Sequence, residues 1–215
     1  MENQDENTNE PMGRELTPEE IVELFATKVP IPAQFFNEET NAPYSHCTKC
    51  HIEFSEKTGY SILKHFEPGP GQQQSVLYFA YAVCTDCYEK LGIKVSDESN
   101  RRLEEFGEEF SETEEFLETF SMFPEEEDIP TMLNTCVITC QKIDPAKPYT
   151  RQAMFVGKQM ILSGASPFTI SEKGAEMLSN CLSVETKDEF EKVYDLIDLP
   201  VDALSIDQLV GVVGI

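Results

Sequence analysis

Residues 60–87 read YSILKHFEPGPGQQQSVLYFAYAVCTDC, and the fold turns on how this stretch is read. Tyr60 to Phe66 alternates, and Val76 to Val83 is rich in the aromatic and β-branched side chains that suit a pleated, half-buried surface. The Pro/Gly/Gln run between them continues neither strand nor helix, so the two runs are expected to pair as an antiparallel hairpin. The second run passes directly into Cys84-Thr-Asp-Cys87, and a matching pair, Cys47-Thr-Lys-Cys50, precedes the first. Cysteines therefore frame the hairpin at both ends.

Zinc takes four soft or borderline ligands in a tetrahedron, and an x-x spacing lets each pair wrap one side of the ion. Cys47, Cys50, Cys84 and Cys87 are the candidate ligands, and a four-cysteine set leaves no open position for a catalytic water. The first pair follows Pro43 in a knuckle-like turn, and the second opens a helix at Tyr88, Glu89, Lys90 and Leu91. That order of knuckle, hairpin and cysteine-bearing helix start resembles the treble-clef class of zinc fingers over residues 44–93, and the resemblance implies one structural Zn2+ on these four cysteines. His46 and His51 flank the first pair and could replace a ligand, but with four cysteines available a satisfied or solvent-facing role is expected for both. Buried or redox-active pairs are the alternative, although neither pair has the βαβ context of a thioredoxin-like motif. His65, on the first strand, is expected to be a surface or partly buried histidine.

The 215 residues carry 40 acids against 16 bases, a formal net charge of −24. Residues 96–128 alone hold 14 acids and 2 bases, half of that total. Such a polyanion is repelled by phosphate and by anionic membrane surfaces, so a basic protein is the expected partner, with no direct nucleic-acid or membrane binding. Within the same segment Leu103, Phe106 and Phe110, then Phe116, Leu117 and Phe120, recur at helical spacing, which predicts two short amphipathic helices. Glu104, Glu105, Glu108 and Glu109 then form a negative strip opposite Leu103, Phe106 and Phe110, the candidate partner-binding surface. No run of about 18 apolar residues predicts a membrane span, and the polar, acidic Met1–Gly13 does not read as a signal peptide; a cytoplasmic protein of bacterial type is expected.

The fold class read from these patterns is α+β. It comprises an acidic tail (1–16), a helix plus zinc module (17–95) with a capped start at Thr17–Glu20, an acidic helical connector (96–130) and a C-terminal α+β unit (131–215). FPEEEDIP, between Pro124 and Pro130, reads as a linker. Thr131–Ile143 and Gln152–Leu162 read as strands, and Ser171–Leu182 and Thr186–Asp198 as helices, the last opened by a Thr186/Glu189 capping box. Cys136 and Cys140 would then share a sheet face, with Cys181 in a helix, all three as core residues. The apolar end, LVGVVGI, is expected to dock. Loss of the metal is expected to loosen 44–93 and leave 131–200 folded.

No G-x-S-x-G, P-loop, G-x-G-x-x-G or H-E-x-x-H occurs, and all three histidines lie in the cysteine region, away from Cys140 and Cys181. The expected function is a non-catalytic, zinc-stabilised acidic binding module of the inhibitor, immunity or adaptor type. A metal- or thiol-dependent enzyme is the alternative. A nucleic-acid-binding zinc finger using Lys49, Lys57, Lys64, Lys90 and Lys94, or a nucleic-acid mimic, is the second.

Overall fold

The computed structural model of the chain describes residues 26–71, 74–121, 123–164 and 166–190. The expected tail, the helix start at Thr17, the end of the last helix and LVGVVGI lie outside these residues.

The protein is mixed helix and antiparallel sheet. Its strands are β1 (Thr27–Pro30), β2 (Gly59–Pro68), β3 (Ser75–Cys84), β4 (Tyr149–Val156), β5 (Gln159–Leu162) and β6 (Phe168–Ser171). The helices are α1 (Thr85–Glu89), α2 (Asp97–Ser111), α3 (Glu114–Thr119), α4 (Ile129–Asn134), α5 (Glu172–Cys181) and α6 (Val184–Phe190). The hairpin forms as expected, as β2 and β3. The sheet order is β1-β5-β4-β2-β3, with β6 beside β4 next to the segment that β5 pairs. All strand pairs are antiparallel.

Strand β2 lies between β3 and β4, with Leu63 opposite Gln152 and His65 opposite Thr150. One sheet thus joins residues on both sides of the acidic helices, and the hydrophobic cores are shared. On one face Leu63, Tyr81 and Val83 pack in a cluster with Ile170, Ala175, Leu178, Leu182 and Phe190. The cluster on the other face joins Tyr60, Ile62, Ala153 and Phe155 to Ile31, Phe35, Ile129, Met132 and Leu133.

Several expectations are corrected. FPEEEDIP and the start of Thr131–Ile143 form a 3-10 turn (Glu126–Asp128) and helix α4, because Pro130 sits in the helix's first turn, where its fixed φ is an advantage. The Leu133 carbonyl at its end accepts from Arg151 Nε at 3.1 Å and Thr169 Oγ1 at 3.0 Å. Cys136 to Cys140, expected as strand, is a tight turn with Cys140 at φ 51°. Gln152–Leu162 is not one strand but the end of β4 and all of β5, joined at Gly157, whose φ of 58° makes the turn. Helix α6 starts at Val184 with Ser183 as its cap, and Glu189 of the expected capping box accepts instead from the Lys94 N–H at 3.2 Å.

Lys64 and His65 are also corrected. Lys64, named among the lysines available to nucleic acid, is 2% exposed and donates to the Phe36 carbonyl and Glu38. His65 is 1% exposed, hydrogen-bonded to Thr150 Oγ1 at 2.9 Å and Glu67 Oε1 at 3.1 Å, and stacked on Phe79. Both follow from the central place of β2, where a side chain on either face meets packed neighbours.

Burial pushes the His65 pKa down, outweighing the opposing pull of Glu67. The unfolded chain, with an ordinary histidine near pH 6.5, takes up a proton that the folded protein resists, so this group's contribution to stability falls as pH drops below about 6.5. His65→Gln is expected to flatten that part of the stability profile. Urea midpoints of wild type and variant between pH 7.5 and 5.5 check it, and parallel slopes would contradict it.

Candidate metal centre

Cys47 opens a turn that ends at Ile52. The Cys47 N–H donates to the Ile52 carbonyl at 2.9 Å, the His51 N–H returns to the Cys47 carbonyl at 2.9 Å, and His51 adopts φ 60°. The left-handed region is uncommon for side-chain-bearing residues, and histidine and asparagine are among those that tolerate it best. The same turn occurs twice more, at Asn37–Ala42 with Asn41 at φ 50° and at Cys136–Gln141 with Cys140 at φ 51°. No sequence repeat marks the three, because the turn is made by backbone hydrogen bonds.

Thr48, inside the first cysteine pair, ties this knuckle to the outer edge of β3. Its N–H donates to the Ala82 carbonyl at 2.8 Å, and its Oγ1 accepts from the Ala82 N–H at 3.0 Å. Sequence reasoning passed over Thr48, since a threonine in an x position carries no metal signal. Gly59 faces Thr85 so closely that a Cβ there would lie 2.8 Å from its Oγ1, so the start of β2 and the start of α1 are in contact.

Cys84 ends β3 and caps α1, and Cys87 sits within α1, so strand and helix together fix the second pair. The four sulfurs of Cys47, Cys50, Cys84 and Cys87 all lie within 4.8 Å of one another. Cys50 Sγ and Cys84 Sγ are 3.7 Å apart. A tetrahedron with metal–sulfur arms of about 2.3 Å has edges of about 3.8 Å, so the spacing fits a single ion. Cys47, Cys84 and Cys87 are buried while Cys50 is exposed, which leaves one side of the cluster open to solvent.

The electrostatics favour a cation. Burial raises the Cys47 thiol, but N–H groups of Cys50, Cys84 and Lys49 overcome it and bring the thiol down to about 7. Burial pushes Cys87 up to about 12, with the Cys50 and Cys84 side chains adding to it, and raises Cys84 as well. Cys47 thus ionises before Cys84 and Cys87, and gathering several thiolates in so small a space needs a positive ion to neutralise them.

Neither His46 nor His51 joins the cluster; His46 Nδ1 hydrogen-bonds Ser45 Oγ at 2.9 Å. Among the other cysteines, Cys136 is buried, its Sγ accepting from the Ser171 N–H at 3.3 Å, whereas Cys140 and Cys181 are only half-buried. Burial raises both of those thiols. Glu104, Glu105, Glu108 and Glu109 are exposed on α2, and Glu105 pairs with Arg101 at 2.6 Å. Leu103 and Phe106 pack against the core beside the cysteines, so α2 presents the glutamates outward.

The chain is an α+β protein with a four-cysteine cluster able to hold a metal ion. No helix among the described residues is long and apolar enough to cross a membrane. No protein-family model matches the chain, and no characterised protein or solved structure shows significant similarity to it.

Proposed function

We propose that this protein is a non-catalytic binding module stabilised by one zinc ion, whose acidic helix α2 engages a basic partner protein. The observation that carries the reading is the closed set of four sulfurs: a tetrahedral S4 site suits zinc or iron, and it fills the coordination shell with protein. Cys47 and Cys50 on the knuckle and Cys84 and Cys87 at the β3–α1 junction would hold the ion. Zinc there acts as a cross-link that holds the thiols as thiolates and fastens the knuckle to strand and helix. The order of knuckle, hairpin and helix supports a treble-clef arrangement.

The partner reading rests on charge. Half of the net negative charge lies in residues 96–128, and the four glutamates point to solvent. A clustered field accelerates encounter with an opposite charge and penalises wrong partners. The Arg101–Glu105 pair is exposed and worth about 0.2–1 kcal/mol, too little to keep a cationic partner away.

Changing Glu104, Glu105, Glu108 and Glu109 together to Gln preserves helix propensity and removes four charges. A partner captured on the wild-type chain is expected to associate more slowly with this variant, and its affinity should lose much of its salt dependence. Folding stability should stay level or rise slightly. Equal affinity with an unchanged salt slope would show that the strip only solvates the helix. Elemental analysis of protein purified without chelator is expected to give about one zinc per chain.

A further inference from the structure

Two helix starts meet through their own side chains. Ser96 caps α2, its Oγ accepting from the Ser99 N–H at 3.2 Å, and Ser183 caps α6, its Oγ accepting from the Thr186 N–H at 3.2 Å. In a capping box the third helical residue reaches back to the N–H of its own cap. Here those residues are exchanged between helices. Thr186 Oγ1 accepts from the Ser96 N–H at 2.9 Å, and Ser99 Oγ accepts from the Ser183 N–H at 2.8 Å. Ser99 and Thr186 are both fully buried.

The four hydroxyl oxygens also lie against one another, every one of the six pairs 2.9 to 3.3 Å apart. Each hydroxyl has one proton to donate and two lone pairs to accept with. Four backbone N–H groups and four O–H groups therefore meet eight lone pairs, and the set closes with nothing left over. Inward-pointing N–H groups make it a poor seat for a cation, and a set without spare donors offers nothing to an anion. What it joins is the protein to itself, at Ser96 and Ser183, 87 positions apart in the chain.

We infer that this hydroxyl tetrad is a latch that makes the acidic helix α2 and helix α6 open and close as one unit. Removing one hydroxyl leaves a buried donor without its acceptor on the opposite helix, so each cap depends on the other. The latch fixes α2 on the body of the protein and holds whether or not α2 has a partner.

Amide hydrogen exchange on the whole 215-residue chain tests it. Thr186→Val keeps the side-chain shape and removes a hydroxyl that belongs to α6. The amides of Ser99 and Asn100, bonded within α2 to Ser96 Oγ and to the Ser96 carbonyl, should nevertheless exchange about tenfold faster. Ser99→Ala should do the same to the amides of Thr186 and Lys187 in α6, and the double variant should exchange little faster than the faster single one. Thr186→Ser, which retains the hydroxyl, should behave as wild type. Effects confined to the helix that carries the substitution, or effects that multiply in the double variant, overturn the latch. Thr186→Ser behaving like Thr186→Val overturns it too, because the cause would then be the lost methyl group.

Discussion

Chelating the metal, or replacing Cys84 with Ser, is expected to unfold far more of the protein than the loop it closes. Structural zinc is worth about 10–16 kcal/mol in small finger peptides, against a net stability of about 5–15 kcal/mol for a typical domain. Residue spacing alone would confine the damage to 44–93 and leave 131–200 folded. The shared core extends it: Cys47, Cys84 and Cys87 lie in one cluster with Leu63, Tyr81 and Val83 and also with Ile170, Leu178 and Phe190. Near-ultraviolet circular dichroism and the thermal transition should therefore be lost together, including exchange protection in β6 and α5. Metal retention should also fall as pH is lowered, since the thiols must give up protons to bind. A melt unchanged by chelation, on protein with little bound metal, would end the zinc reading. A loss restricted to 44–93 would keep the metal and refute the coupling.

Phe190→Ala is the converse experiment, a change in the last described helix whose effect should reach the cysteines. Phe190 is fully buried in the cluster that holds three of the four sulfurs. Truncating a buried phenylalanine costs about 3–5 kcal/mol, which should lower the melting temperature by about 10 °C. Transfer of metal to a competing chelator should speed up as well, because opening the shared core is how the buried sulfurs become accessible. Phe35→Ala, equally buried but in the cluster on the other face, should cost similar stability with a smaller change in metal release. Equal release rates from the two variants, measured at matched stability, would mean that the sheet does not separate the two cores as described.

Where local rules suffice, the chain was readable. The β2–β3 hairpin, helices α2 and α3, helix α5 and the four cysteines brought together each depend on residues close in sequence or on one hairpin closing. The misreadings share a cause. Thr131–Ile143 has a β-branched look, yet Pro130 starts a helix there, and Arg151 and Thr169, remote in sequence, cap its end. Gly157 was a visible turn signal between two short apolar runs, and a two-residue hairpin connection fits it better than one long strand. The Thr186 hydroxyl did belong to a cap, but to that of a helix 90 residues upstream. Capping chemistry can be recognised from side chains, whereas the choice of partner is made by packing.

By itself, the amino-acid sequence determined which four cysteines come together, the hairpin they frame and the outward face of α2. Short spacings and period fix these through covalent reach and backbone geometry. Tertiary structure decided the rest by placing β4 against β2. That long-range pairing turned β2 into a central strand, and burial followed for Lys64 and His65, whose neighbours in sequence give no sign of it. It also brought the later helices onto the cysteine face, so a cluster legible in 41 residues, from Cys47 to Cys87, became part of a core that also takes in Ile170, Leu178 and Phe190. Local patterns record which face of a strand is apolar; only the assembled sheet determines what each face meets.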